Sequence, residues 1–190
     1  MKYDIILSGV GGQGVLSVAA IIARGAMMAG LKVRQSEVHG MAQRGGAVLS
    51  HLRISDEVIP GDLVPRGGAD LILSMEPLEC LRYTDYLKES GEVITSANPV
   101  VNIPNYPDLG SVISRVETLP RARVVDDKTL AKEAGNLRST NMVMVGAASP
   151  GLPVNRDTLL KAIEELFRAK GAEVVASNQR AFELGAAATD

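Results

Sequence analysis

Short apolar runs that end at glycine alternate along this chain with longer segments of helical periodicity. Residues 3–8 (YDIILS) form an apolar run typical of a buried strand, and residues 14–29 are rich in Ala, Ile and Met without proline. This second segment predicts a helix that ends at Gly30. Residues 32–37 (KVRQSE) predict a second strand, parallel to the first and reached through a right-handed helical crossover.

The alternation continues to the end of the chain. Residues 98–107 contain three prolines and predict an extended connection, and residues 139–149 fit either a buried strand or a small-residue helix, of which we favour the helix. Further strands are predicted at 47–54 (with 57–59 pairing to it), 69–75, 91–96 and 123–126, and further helices at 76–88, 108–118, 127–136, 155–170 and 174–188. This order predicts an α/β fold: a Rossmann-like, mostly parallel sheet flanked by helices, in a single domain over residues 1–190.

Composition excludes several classes of function. The net charge of −2 gives no support for binding nucleic acid or an anionic membrane, and four Tyr, two Phe and no Trp offer few surfaces for stacking bases. The single cysteine, Cys80, cannot build a disulfide, a Cys-x-x-Cys zinc site or an iron–sulfur site alone. His39 and His51 do not make a metal site by themselves, and the first residues do not resemble a signal peptide. We expect a cytoplasmic protein.

The stretch SGVGGQG raises the question of a bound dinucleotide. Gly9, Gly11 and Gly14 fit the G-x-G-x-x-G pattern between a strand and a helix, where bare amides bind anions. Glu37, about 20 residues further on, stands where a ribose-binding acid is expected. Gln13 beside the third glycine weakens this interpretation, and the glycines equally suit a tight strand-to-helix turn with no ligand.

A second glycine-rich loop, VHGMAQRGG at residues 38–46, is not needed by a plain dinucleotide fold. Arg44 offers a planar fork of donors for a carboxylate or phosphate, and His39 can carry a proton near neutral pH. Glycines around an arginine suggest close approach by another backbone or a ligand. The alternative is that these are surface groups or that the loop hydrogen-bonds to itself. Asp126 and Asp127 are explained by the start of a helix rather than by a metal.

These two loops carry a resemblance to a known family. GVGGQGVLSVAAIIARGAMMAG followed by SEVHGMAQRGGAVLSHLRI resembles the gamma-type subunits or domains of 2-oxoacid:ferredoxin oxidoreductases. EVHGMAQRGG most closely resembles the small (beta) subunits of the indolepyruvate type. ADLILSMEPLECLR, NMVMVGAASPGLP and NQRAFELG also fit, whereas residues 98–123 resemble the family least.

The resemblance implies a non-catalytic small subunit of a thiamine-dependent enzyme. Such enzymes decarboxylate a 2-oxoacid, here indolepyruvate or another arylpyruvate, pass electrons to ferredoxin and release acyl-CoA and CO2. It implies that a large partner subunit carries thiamine diphosphate, Mg and the [4Fe-4S] clusters, with CoA as co-substrate of the complex. The single cysteine of this chain agrees with clusters held elsewhere.

The expected site is therefore a surface and not a reaction centre, with no catalytic or metal-binding residue in this chain. Both loops are expected at the carboxyl end of the sheet, facing the partner or CoA, with Arg44 near a CoA phosphate or an acidic partner group. The residues are Gly9, Gly11, Gly12, Gln13, Gly14, Glu37, His39, Gly40, Gln43, Arg44, Gly45 and Gly46. Two alternatives stay open: a self-sufficient NAD- or flavin-dependent oxidoreductase, and a stand-alone regulatory domain that senses a nucleotide.

Overall fold

The protein is built around one six-stranded sheet with helices on both faces. The structure is a computed structural model that describes residues 1–39 and 45–189, and for His39 it describes the backbone alone. The strands are β1 (Lys2–Val10), β2 (Lys32–His39), β3 (Ala47–Ser55), β4 (Ala69–Ser74), β5 (Leu87–Ser96) and β6 (Ala122–Val125). The helices are α1 (Val15–Met28), α2 (Pro77–Arg82), α3 (Leu109–Glu117), α4 (Asp127–Glu133), α5 (Thr140–Ala148), α6 (Arg156–Phe167) and α7 (Ala172–Ala187). No helix in this described part of the chain has the length and hydrophobicity of a membrane span.

The sheet is mixed, with strand order β2-β3-β1-β4-β5-β6. Neighbours β1, β4, β5 and β6 are parallel, whereas β3 is antiparallel to both β1 and β2. Five strands therefore run in one direction, which confirms the mostly parallel sheet. β1 and β2 are parallel, as predicted, but β3 lies between them.

β2 and β3 form an antiparallel hairpin around the second glycine loop. Their register runs from Lys32 opposite Ser55 to His39 opposite Val48. β3 also pairs with β1 along its whole length, from Ser55 opposite Lys2 to Ala47 opposite Val10. Because β3 starts where β1 and β2 end, the described residues that flank the hairpin loop, His39 and Gly45–Gly46, lie at the carboxyl edge of the parallel strands.

Alternate side chains of β1 enter two different cores, as the period of a strand requires. Ile5 and Leu7 belong to the larger core, which α1, α4, α5, α6 and α7 complete on one face of the sheet. Ile6 belongs to the smaller core on the other face, with Cys80 of α2 and Val116 of α3. Burial of both faces explains why the central strands are apolar runs without alternation.

Most predicted elements are confirmed with small shifts at their ends. The ambiguous segment 139–149 is helical, since α5 packs against α7 inside the larger core. The predicted helix 76–88 is too long: α2 stops at Arg82, a 3-10 turn follows, and β5 begins at Leu87. β5 thus starts four residues before the predicted position 91.

The predicted pairing of residues 57–59 with β3 is wrong. This segment is not a strand; the loop that continues from it is held by two side chains of β3. Arg53 Nη1 donates to the carbonyl oxygens of Gly61 and Leu63 at 2.9 and 3.0 Å, and His51 Nδ1 accepts the Val64 N–H at 3.2 Å. Burial lowers the pKa of His51, which keeps the ring neutral and able to accept. His51 is thus a structural residue.

Candidate functional site

The first glycine loop makes a tight turn from β1 into α1. Gly12 and Gly14 have φ angles of 105° and 80°, in the region that favours glycine. Gly14 precedes α1, which has no side-chain cap. A Cβ atom on Gly14 would lie 2.8 Å from Nδ2 of Asn141 at the start of α5, so the turn and α5 are in close contact.

Gln13 closes this turn from the inside. Its Oε1 accepts the Val10 N–H at 2.7 Å, and its Nε2 donates to the Met75 carbonyl, also at 2.7 Å. Val10 ends β1 and Met75 follows β4, so one carboxamide connects the carboxyl ends of two neighbouring strands. The long polar side chain that weakened the dinucleotide interpretation is therefore part of the turn itself.

Replacing Gln13 with leucine keeps the size of the side chain and removes both hydrogen bonds. We expect the free energy of unfolding to fall by about 2 kcal/mol, because a partly buried N–H and C=O lose their partners. Urea denaturation measures this change, and the amide of Val10 should exchange faster with solvent. The control is Gln35→Leu on exposed β2; equal losses in the two variants would contradict the structural role of Gln13.

The two glycine loops hydrogen-bond to each other. Gly11 N–H donates to the Gly46 carbonyl at 2.8 Å, and Gly45 N–H donates to the Gly11 carbonyl at 3.3 Å. The side chain of Asn102 also donates to the Gly45 carbonyl. These bonds extend the β1–β3 ladder past the sheet and bring the predicted loops together at its carboxyl edge. Gly40, Gln43, Arg44 and the side chain of His39 lie outside the described residues.

The predicted ribose-binding position of Glu37 does not fit this sheet. Glu37 lies exposed on β2 opposite Ser50 of β3, and β3 separates it from β1. β2 lies two strand spacings, about 10 Å, away from β1. In a dinucleotide-binding fold the ribose-binding acid lies at the end of the strand directly beside β1. The glycine turn therefore supports the fold inference without supporting a bound dinucleotide.

Glu76 is a buried carboxylate at this edge that sequence reasoning missed. It is 1% exposed and caps α2, where its Oε2 accepts the Glu79 N–H at 2.7 Å. Its Oε1 accepts the Val100 N–H at 3.4 Å and the Tyr106 hydroxyl. Burial and this hydrogen bond raise the pKa of Tyr106, so the phenol stays a donor. Glu76 thus holds the proline-rich segment 98–107 beside the glycine loops. The sequence pattern that could have identified Glu76 as a helix cap is an acid directly before Pro77, the first residue of α2.

A second polar cluster joins the ends of β5 and β6. Asp127, whose pKa is raised by burial, accepts from Ser96 Oγ at 2.5 Å and from Asn98 Nδ2 at 2.8 Å. Asp126 caps α4 by accepting the Thr129 N–H at 3.2 Å, which confirms the helix-start interpretation of this acid pair. These bonds anchor the other end of segment 98–107 next to the sheet.

The described residues offer binding groups and no nucleophile with a base. Cys80 is fully buried, and burial raises the pKa of its thiol to about 12, which makes it unreactive. Among residues 1–38 and 45–189, no three His, Cys, Asp or Glu side chains are grouped as metal ligands. The described part of the edge consists of glycines whose backbone groups largely bond to one another, and an added Cβ at Gly12 or Gly45 would meet no atom within 4 Å. Open glycine positions of this kind suit contact with another surface.

Comparison with known proteins identifies the family. The model of the family described as pyruvate ferredoxin/flavodoxin oxidoreductase matches residues 4–188. Indolepyruvate oxidoreductase subunit IorB of Thermococcus kodakarensis is 42% identical over 194 aligned positions, which cover 97% of this chain and 94% of that protein.

Two solved structures share the fold. The keto/oxoacid ferredoxin oxidoreductase gamma subunit of Geobacter sulfurreducens superposes with a TM-score of 0.71 and 26% identity, covering 98% of each chain. The 2-oxoglutarate:ferredoxin oxidoreductase of Magnetococcus marinus, with 2-oxoglutarate, coenzyme A and succinyl-CoA bound, gives a TM-score of 0.79 and 26% identity. This match covers 99% of our chain and only 31% of that longer chain. Our chain therefore belongs to the pyruvate ferredoxin/flavodoxin oxidoreductase family, as one of its small, gamma-type subunits.

Proposed function

We propose that this chain is the non-catalytic small subunit of an indolepyruvate:ferredoxin oxidoreductase and forms one gamma-type domain over residues 1–190. The 42% identity to an IorB subunit over almost the full length of both chains supports the indolepyruvate type. The enzyme would convert indolepyruvate or another arylpyruvate with CoA to acyl-CoA and CO2 in the cytoplasm, and reduce ferredoxin.

The cofactors of this reaction belong, in our proposal, to a large partner subunit. A [4Fe-4S] cluster needs four thiolates, and the sequence holds one cysteine, which is buried in the smaller core. The residues of this chain therefore do not fit a cluster. Thiamine diphosphate, Mg and the clusters are assigned to the partner, which would also contact ferredoxin.

The contact between the two glycine loops is the observation that carries this proposal. The bonds between Gly11 and the pair Gly45–Gly46 place both loops on one edge, beside segment 98–107. The described part of this edge is glycine at positions 11, 12, 14, 45 and 46, and a glycine backbone lets another chain or a ligand approach closely. We propose that this edge faces the partner subunit near its active site, with part of CoA between the two chains.

Arg44 is the cation of the second loop and the sharpest test of this proposal. In the assembled complex, Arg44→Ala is expected to raise the CoA concentration for half-maximal activity by about tenfold, or to weaken subunit assembly similarly. The reason is that a hydrogen bond between charged groups contributes about 1.5–3 kcal/mol. Steady-state kinetics with varied CoA and analytical ultracentrifugation separate the two effects.

The matched control for this test is Arg115→Ala, an exposed arginine of α3. This variant should keep both the CoA requirement and the assembly of the wild-type complex. If Arg44→Ala leaves both quantities unchanged as well, the second loop has another role and the proposed orientation is wrong.

A further inference from the structure

A groove of about 770 Å³ opens beside the glycine turn, on the face of the sheet that carries the larger core. Lys132, Arg138 and Lys170 line it together with Asn141 and Asn178, and we name these five residues the cationic groove. Asn141 contacts Gly14, so the groove begins next to the first glycine loop. Its volume lies within the range of small-molecule sites in proteins, about 300–1,000 Å³.

The charge of this groove is not balanced by the protein. Several cations elsewhere are paired: Arg53 with Asp4, Lys88 with Asp70 and Arg24 with Glu165. Among the described residues, Lys132, Arg138 and Lys170 make no ion pair, and no acidic side chain lines the groove. Three positive charges around one concave surface attract an anion, since each raises the local potential.

Three helices also begin at this groove. Its lining residues Ser17, Asn141 and Val174 lie in the first turns of α1, α5 and α7. These three helices lack a side-chain cap, whereas α2, α3, α4 and α6 are capped by Glu76, Asp108, Asp126 and Asn155. α4 and α6 end at the same groove, where Asn136 and Phe167 line it. The positive and negative helix ends therefore offset each other in part, and the three side-chain cations carry the net field.

Two amides give the groove neutral hydrogen-bonding groups. Asn178 is 3% exposed; its Nδ2 donates to the Val174 carbonyl at 2.7 Å, while its Oδ1 accepts no hydrogen bond from the described residues. Asn141 accepts from the Met142 N–H through Oδ1, and its Nδ2 has no described acceptor. The Asn178 oxygen, which has no described donor, suits a ligand hydroxyl, and the Asn141 amide group, which has no described acceptor, suits a phosphate oxygen.

We propose that the cationic groove binds an organic phosphate that carries a free hydroxyl group. The phosphate oxygens would contact Lys132, Arg138, Lys170 and Asn141, and the hydroxyl would donate to Asn178. This site is separate from the contact between the two glycine loops. It does not depend on the proposed function, so either proposal can fail alone.

Titration calorimetry of the full chain with ADP, a phosphate with ribose hydroxyls, tests this site. The variant Lys132→Gln/Arg138→Gln/Lys170→Gln is expected to bind ADP at least about tenfold more weakly than wild type, since it removes all three charges. The control Arg115→Gln/Lys128→Gln/Lys161→Gln removes three exposed cations that also make no ion pair within the described part of the chain, and should bind within about twofold of wild type. Equal losses in both variants, an unchanged groove variant, or no binding of millimolar ADP to wild type would overturn the proposal.

Chemical-shift mapping by NMR on the wild-type chain tests the same site without any substitution, so its result does not depend on whether the triple variant folds. Addition of ADP should move the amide signals of Arg138, Asn141 and Lys170. Shifts confined to Gly11, Gly14 and the second loop would place the anion at the glycine turns and overturn the proposed groove site.

Discussion

Replacement of Gly146 by alanine is expected to destabilise the fold by about 3 kcal/mol, although alanine is the better helix former. A Cβ atom on Gly146 would lie 1.9 Å from the carbonyl oxygen of Phe182 in α7. The contact is reciprocal, because a Cβ on Gly185 of α7 would lie 2.0 Å from the Val143 carbonyl oxygen. The obstacles are backbone atoms of a packed helix, so the two helices must move apart and open the larger core.

Urea denaturation of Gly146→Ala measures this loss against the control Gly110→Ala. Gly110 lies exposed in α3, where the nearest atom to an added Cβ is a side-chain oxygen of Asp108 at 3.2 Å. That side chain caps α3 by accepting the Ser111 N–H, so the control should lose at most about 1 kcal/mol, the contribution of one cap. Similar unfolding midpoints for the two variants would show that α5 and α7 are not in backbone contact.

Replacement of Asp4 by asparagine is the second change with a large expected effect, about 3–5 kcal/mol at pH 7. Asp4 is fully buried and accepts from Arg53 Nε and Nη2 at 2.9 and 3.2 Å. The variant leaves a buried guanidinium without its counter-charge. Because Arg53 also holds the carbonyls of Gly61 and Leu63, that loop should loosen as well.

The control for Asp4→Asn is Asp85→Asn, which breaks an ion pair with Arg66 whose two side chains are 69% and 76% exposed. Solvent screens that pair, so its loss should hardly change the free energy of unfolding. Thermal and urea denaturation of the two variants compare a buried with an exposed pair directly. An Asp4→Asn protein as stable as Asp85→Asn would contradict the role assigned to the Asp4–Arg53 pair.

The glycine turn and most helices could be predicted because their signals are local. The turn follows an apolar run and precedes a proline-free helix, and α6 shows its period within twelve residues. The insertion of β3 between β1 and β2 could not be predicted in this way. Tertiary packing determines which strands are neighbours. The prediction that Glu37 occupies a ribose-binding position was wrong because β3 separates β2 from β1.

The polar groups at the site depend on contacts between distant parts of the chain. Glu76 receives hydrogen bonds from Val100 and Tyr106, and Gln13 reaches Met75. The cationic groove joins Lys132, Arg138, Asn141, Lys170 and Asn178, which share no local pattern in the sequence. The resemblance to a family identified the two glycine loops as candidate contact loops. The register between β1 and β3 explains why they lie next to each other.

The central claim is that this chain works as a small subunit and not as an enzyme by itself. Affinity purification of the tagged chain from its source cells tests it most directly, followed by assays of 2-oxoacid-dependent ferredoxin reduction. We predict a stoichiometric large partner that is rich in cysteine and binds thiamine diphosphate, with activity that requires CoA and is absent from the isolated chain. Purification of the chain alone as an active NAD- or flavin-dependent enzyme would contradict the account.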